Sequence, residues 1–284
     1  MIVNLASVLE DAKKQNYAVG SFNIYNYETI KGVIESAKES RIPAIIAFGE
    51  QYLKNMDFAT VYAIVRSLTE DTDIPIVLHL DHCKSLENIF KAIRAGFTSV
   101  MYDGSALSFR ENLNNTKKIV EVAHATGVSV EAELGCLAGG EGSNEGSGHE
   151  QEIYTNAAQA EEFVKATGID ALAVSIGTVH GMYKGEPKIN IEVLKQIASR
   201  IELPLVLHGG SGTPEAVIKE CIKNGICKIN VNTEISVYTV EKIKELLNGE
   251  KSSHLSVLSL KEIEYIKTVV KRYMLLFFVK MSQI

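Results

Sequence analysis

The segment Leu205 to Val231, LVLHGGSGTPEAVIKECIKNGICKINV, holds one complete unit of the architecture. Leu205–His208 reads as a short strand, and a glycine-rich turn follows it. Pro214–Asn224 carries apolar residues at helical spacing, Gly225 stops that helix, and Lys228–Val231 begins a second strand. Two β-branched runs joined through a helix form a parallel crossover. Their nearly continuous apolar character suits strands covered by helices rather than strands with one wet face.

Working outward in both directions, the same unit recurs. The other strand candidates are Ala18–Asn23, Ala44–Phe48, Ile76–Leu80, Ser99–Tyr102, Val128–Glu133 and Ala171–Ser175. Helical patterns at Thr29–Arg41, Thr60–Thr69, Ser85–Ala95, Asn112–Thr126, Ala157–Thr167 and Ile191–Ser199 separate them. Gly96, Gly127 and Gly168 stand where helices must stop, since glycine takes the left-handed conformation that closes one. Eight strand–helix units in 284 residues match a closed (β/α)8 TIM barrel, which takes ~250 residues. No glycine-rich dinucleotide fingerprint follows the first strand, which disfavours an open doubly wound sheet. The expectation is one α/β barrel domain over residues 1–284, with a helical C-terminal segment from about 255.

Composition narrows the function. The formal charge of −6, with no lysine–arginine cluster, excludes a nucleic-acid surface. Phosphates remain possible ligands, because helix-start amides bind them without net positive charge. Four scattered cysteines, Cys83, Cys136, Cys221 and Cys227, form no C-x-x-C pair and predict reduced thiols in the cytoplasm. The start, MIVNLASVLEDAKK, has no apolar run and is not a secretory signal. The apolar stretch Tyr273–Met281 is far short of the ~20 residues of a membrane span, and predicts a final helix buried against the body or a subunit neighbour.

The chemistry of a barrel gathers at the C-terminal ends of its strands. Here those ends carry Asn23, Asp81-His82, Asp103, Glu131 and Glu133, Gly177–Gly181, His208–Gly212 and Asn230–Thr233. Three of the seven histidines, His82, His180 and His208, stand at exits 98 and 28 positions apart, so only a closed fold can bring them together. Three imidazoles with an open position form a common catalytic zinc site. His79 sits inside its strand, where packing or support of a ligand is expected; His124, His149 and His254 read as surface or loop residues. Gly209–Pro214 runs into a helix and reads either as a flexible turn or as a phosphate cradle, with Asn230–Thr233 facing the same spot. The segment Ala138–Glu150, AGGEGSNEGSGHE, reads equally as a mobile lid carrying a carboxylate or as a surface loop.

With these motifs assembled, the chain resembles the class II, zinc-dependent fructose-bisphosphate aldolases, especially the shorter branch that includes tagatose-bisphosphate aldolases. The matching segments are AVGSFNIYNYET, IVLHLDH, VSVEAELG, YTNAAQAEEFVKATGIDALAVSIGTVHGMYKGEP, LPLVLHGGSGTP and KINVNTE, in order over roughly residues 1–245. The resemblance implies reversible aldol cleavage of a ketose 1,6-bisphosphate to dihydroxyacetone phosphate and glyceraldehyde 3-phosphate. It implies Zn2+ on His82, His180 and His208, with Asp103 and Glu131 as ligands of an alternative metal position. Asp81 is implied as the acid/base on the C4 hydroxyl. Asn23, Gly181, Lys184, Gly209, Gly210, Ser211, Asn230, Val231, Asn232 and Thr233 are implied as substrate-binding. The backbone carbonyls of Val179, Gly181 and Gly209 are implied as a site for a monovalent cation (Na+ or K+), and the protein as a homo-oligomer, a dimer or tetramer, with sugar phosphates as its partners and no membrane or nucleic acid.

The sequence departs from that pattern in places. Gly49 stands where the family often has Ser, Gly142 follows Glu141 where a lid glutamate is usual, leaving Glu141, Glu145 or neither for that role, and Asn232 and Ser236 replace the Asp and Arg common in fructose-type members. Alternatives are an aldolase of the same family for another phosphorylated keto sugar, or a barrel retained as a non-catalytic or partner-dependent subunit. A Schiff-base mechanism would need a lysine at a strand exit, and neither Lys228, which begins its strand, nor Lys184, in a glycine-rich turn, suits it.

Overall fold

A computed structural model describes residues 1–141, 154–183, 185–249 and 254–278. Eight parallel strands form the barrel: β1 (Val19–Asn23), β2 (Ala44–Gly49), β3 (Ile76–Cys83), β4 (Ser99–Tyr102), β5 (Ser129–Leu134), β6 (Ala171–Val174), β7 (Leu205–Leu207) and β8 (Ile226–Val231). They pair in the order β3-β2-β1-β8-β7-β6-β5-β4, and β4 pairs back onto β3, which closes the sheet. The closed TIM barrel read from the alternation is therefore present. A short strand, Ile2–Val3, adds to β3 at its start.

Ten helices are described: α1 (Leu5–Gln15), α2 (Tyr27–Ser40), α3 (Phe58–Thr69), α4 (Leu86–Ala95), α5 (Phe109–Ala125), α6 (Ala157–Thr167), α7 (Ile191–Ala198), α8 (Glu215–Lys223), α9 (Thr233–Gly249) and α10 (Leu255–Phe277). Side-chain caps set several starts. Asn26 with Thr29 and Ser108 with Glu111 form reciprocal capping boxes on α2 and α5. The Ser108 box begins α5 at Phe109, three residues before the apolar spacing shows it. Two ends need no glycine: Asn16 and Arg41 close α1 and α2 with φ of 54° and 53°.

The core has two compartments. One lies between the strands and the outer helices. The other is the floor of the barrel, where Leu5, Leu9 and Ala12 of α1 meet Val19, Ile45, Val77, Ala171, Ala173 and Val206. These apolar contacts of α1 cover the floor of the barrel among the described residues. The wall turns polar as it rises, through His79, Asp81, Glu131, Lys228 and Asn230, all buried.

One sequence expectation changes here. The exit segment Asn230–Thr233 is not a loop: Asn230 and Val231 finish β8 and Thr233 begins α9, leaving only Asn232 between. The apolar C-terminal stretch packs on the body as far as it is described. Ile263, Ile266, Val270, Met274 and Phe277 of α10 are buried, with α2 and α9 as the main neighbours. The Phe277 carbonyl accepts the Ala18 amide proton at 3.0 Å. No helix among the described residues is long and apolar enough to cross a membrane.

The α2–α10 contact is close because Gly32 lacks a side chain; a Cβ there would lie 2.6 Å from Cγ2 of Ile266. Gly32→Val should therefore cost roughly 1–3 kcal/mol through overpacking, read as a lower urea midpoint. Adding Ile266→Ala should return part of that loss, whereas an unchanged midpoint in Gly32→Val would mean that the helices separate without cost.

Candidate active site and metal centre

Asp81 and His82 are neighbours in β3, and in a regular strand their side chains would point to opposite faces. They reach the same mouth because the β3–β4 register slips between Leu80 and Cys83, and His82 takes φ 44°. Irregularities of this kind re-aim side chains, and the left-handed backbone costs a non-glycine residue of the order of 1–3 kcal/mol. Asp81 is then clamped from two sides. Asn23 Nδ2 of β1 donates to Oδ2 at 2.9 Å, and Asn230 Nδ2 of β8 donates to Oδ1 at 3.2 Å.

The three distant histidines meet. Their ring centroids lie 4.6 Å (His82–His208), 4.8 Å (His82–His180) and 5.8 Å (His180–His208) apart. One nitrogen from each can be chosen so that all lie within 4.8 Å of one another. Carboxylates back two of the rings: Asp103 Oδ2 lies 3.2 Å from His82 Nδ1, and Glu131 Oε1 lies 2.9 Å from His208 Nε2. The nitrogens left facing inward, His82 Nε2 and His208 Nδ1, are 2.8 Å apart.

The sequence grouped Glu131 with Asp103. In the structure Glu131 stands behind His208 and against Lys228, and it is Glu133 that joins His82 and Asp103 in a second cluster of potential ligands. Glu133 was visible at the fifth exit; its period-two spacing from Glu131 puts both inside the barrel without saying which lies nearer His82. His79 sits deeper, with Nδ1 2.8 Å from Ser99 Oγ. His124 pairs with Asp170 on the surface and His254 caps α10, while His149 lies outside the described residues.

His180 is held by main-chain pairing. Ala138–Gly139, beyond β5, pairs in parallel with Val179–His180, and Glu141 bridges to Met182. Glu141 is exposed; Glu145 and residues 142–153 lie outside the described residues.

In the glycine-rich turn after β7, Gly209 and Gly212 take φ of 72° and 71°, so the turn is built on backbone that disfavours side chains. A Cβ on Gly209 would lie 2.2 Å from the Val179 carbonyl oxygen, and one on Gly181 would lie 2.6 Å from that of Glu141. The Gly209 carbonyl accepts the Thr213 hydroxyl at 3.1 Å. Gly210 N–H is spent on the Asn230 carbonyl, and Gly212 N–H on Glu234. Ser211 and Thr233 are buried beside them, and Pro214 caps α8 rather than opening its first turn. Asn232 Nδ2 donates to the Tyr52 hydroxyl at 3.1 Å. Tyr52 was absent from the sequence reading because nothing in its short 3-10 turn, Glu50–Lys54, marks it. Lys184 lies outside the described residues.

The family model described as "Fructose-bisphosphate aldolase class-II" matches residues 3–280. The chain belongs to that family. It is 44% identical over 253 residues to a fructose-bisphosphate aldolase of Staphylococcus aureus, covering 88% of this chain and 87% of that one. The corresponding protein of Staphylococcus epidermidis is 43% identical over 253 residues, with 88% and 87% covered. Among solved structures, the YdjI aldolase of Escherichia coli K12 superposes with a TM-score of 0.87 at 34% identity, covering 99% of both chains. This aldolase is thus a carbon–carbon lyase of a class that works with a metal cofactor.

The residues present fit such an ion. Both nitrogens of His180 are buried with no hydrogen-bond partner. Burial, and then the neighbouring His82 and His208, push its pKa well below the usual histidine value, leaving its lone pairs available. Burial likewise lowers His208. Burial also acts to lower His82, but Asp81 and its bond to Asp103 outweigh that and raise it to about 10. For Asp81, burial acts upward and is overcome by His82 and Lys228, so the carboxylate is held well below its usual range. Burial and the nearby Asp103 push Glu133 up to about 8.

A raised His82 means that the metal-free aldolase holds a proton on that ring at neutral pH, donated from Nε2 to His208 Nδ1. An ion must displace it. Zinc titrated calorimetrically at pH 8, in buffers of different ionisation enthalpy, should release about one proton per ion. Apparent affinity should rise as pH rises toward 10. A buffer-independent enthalpy would show that His82 is already neutral and is not where proton and metal compete.

Proposed function

We propose that this aldolase is zinc-dependent and reversibly cleaves a ketose 1,6-bisphosphate, fructose 1,6-bisphosphate or its C4 epimer tagatose 1,6-bisphosphate, to dihydroxyacetone phosphate and glyceraldehyde 3-phosphate. One observation carries the reading. A buried carboxylate, Asp81, is gripped at both oxygens by Asn23 and Asn230 beside three converging imidazoles, one of which has no hydrogen-bond partner among the described residues.

His82, His180 and His208 would hold the ion, which when bound supplies Lewis-acid stabilisation of the charge left by carbon–carbon cleavage. Asp81 takes the proton of the C4 hydroxyl in cleavage and returns it in condensation. The clamp from Asn23 and Asn230 fixes where that carboxylate points. Their own side-chain oxygens are buried and unpartnered, which gives substrate hydroxyls two acceptors. Gly209–Ser211 and Asn230–Thr233, with Gly181 and Lys184, bind the dihydroxyacetone phosphate end, aided by the start of α9. Remote anchoring of this kind holds the reacting bond in place and lowers the entropic part of the barrier. The carbonyls of Val179, Gly181 and Gly209 form the monovalent-cation site in this reading; the close approach of Gly209 to the Val179 carbonyl supports the pairing of two of the three.

Tagatose 1,6-bisphosphate is kept beside fructose 1,6-bisphosphate for a specific reason. Residue 232, commonly acidic in fructose-type relatives, is an amide here and is tied to Tyr52.

Steady-state cleavage of both epimers, with metal analysis of the same sample, tests the reading; turnover that survives complete removal of metal would end it. Asp81→Ala should lose about 10²–10⁴-fold in kcat while retaining zinc, and wild-type turnover would remove Asp81 from the proton transfer. His208→Ala should lose zinc and activity together; full zinc retention would count against the three-histidine site.

A further inference from the structure

Lys228 is the least expected side chain in the barrel. It lies mid-strand in β8, is 0% exposed, and its Nζ is 3.0 Å and 2.8 Å from the two oxygens of Glu131. Glu131, also 0% exposed, accepts the Nε2 proton of His208 at 2.9 Å. A continuous path therefore runs from the ammonium, through the carboxylate, to one of the three converging imidazoles.

Such an ion pair is expensive to bury, and an acceptor behind a metal-binding histidine can be as simple as a backbone carbonyl. The other side of Glu131 shows why a charge is used. His79 Nε2 lies 3.7 Å from Glu131 Oε2, buried and without a hydrogen-bond partner. The carboxylate thus has two imidazoles within reach, only one of which belongs to the triad.

We infer that Lys228 is a positioning residue: by holding both oxygens of Glu131 it commits the carboxylate to His208, denies it to His79, and so keeps Nδ1 of His208 facing His82. The inference rests on the reading of His82, His180 and His208 as the residues that hold the ion. Loss of Lys228 has two opposed effects. Deleting a positive charge near the triad favours a cation there. Releasing Glu131 toward His79 frees the His208 ring and disfavours it. Positioning requires the second effect to win.

Zinc affinity of the metal-stripped full chain, measured by competition with a chromophoric chelator, separates the two. Lys228→Met should bind zinc about 10–100-fold more weakly than wild type, the range for losing support behind a metal ligand. In a Glu131→Gln background the Lys228→Met step should change affinity by less than about threefold, because a neutral amide needs no ammonium to balance it. Circular dichroism and melting of the metal-free variants report whether each is folded. If Lys228→Met alone fails to fold, the step in the Glu131→Gln background still decides, and a tenfold loss there overturns the inference. Zinc binding by folded Lys228→Met as tight as wild type, or tighter, also overturns it. Equal affinity in wild type and His208→Ala would instead overturn the underlying reading of the triad.

Discussion

Closing eight parallel strands onto one another, with α1 across the floor, makes an interior in which every charge must be balanced on the spot. Solvent cannot do it below the mouth. Asp81, Glu131 and Glu133 are all buried there, and their compensation comes from Lys228, from the imidazoles and from the amides of Asn23 and Asn230. The pKa directions follow from who faces whom. Asp81 and Glu131 are drawn down, against the effect of burial, by the cations around them, whereas burial and then the facing Asp103 push Glu133 up to about 8. Buried polar groups in such a place are either fully partnered or functional. Among the described residues the exceptions include His180, His79, Asn23, Asn230 and Glu131, around Asp81 and the triad, with Ser21, Thr178 and Thr239 besides.

The second constraint is directional. A strand offers alternate residues to the interior, yet Asp81 and His82 stand side by side at the mouth. The fold resolves this with a register slip and a left-handed backbone at His82, and the local strain is borne by the ladders on either side of β3. His180 has a different support. Beyond β6 no barrel ladder remains to hold it, and a two-residue pairing with Ala138–Gly139 takes that role. The segment that leads into residues 142–153 is therefore tied by its backbone to one of the three histidines, so any displacement of that segment would be felt at the ring.

Much of this was legible in the chain. The strand–helix alternation, the eight exits and the meeting of His82, His180 and His208 all follow from periodicity together with the rule that a closed barrel collects its strand ends at one mouth. What escaped was whatever depends on side-chain direction rather than position. Glu131 and Glu133 share a face, so spacing could not say which one supports His208 and which approaches His82. Lys228 reads as an unremarkable strand start, because only the closed wall shows its ammonium facing Glu131 across the interior. Tyr52 lies in a short 3-10 turn without periodicity, and its link to Asn232 spans 180 positions. The start of α9 at Thr233 was hidden because strand and helix meet with a single residue between them.

The C-terminal helix shows how far the site extends. Its apolar face explains its docking on α2, yet two of its polar residues reach the glycine-rich turn through Glu234. Arg272 and the Tyr273 hydroxyl both bond the carboxylate of Glu234, and that carboxylate accepts the Gly212 amide proton at 3.1 Å. The charge of that carboxylate is met by the guanidinium of Arg272. The turn that begins at His208 is thereby fixed at both ends: at one by the imidazole and Glu131, at the other by Glu234 and α10. Helix packing at the rim and charge balance in the interior act on the same few residues of backbone, so the geometry of the glycine-rich turn is a property of the whole closed barrel and not of its own residues alone.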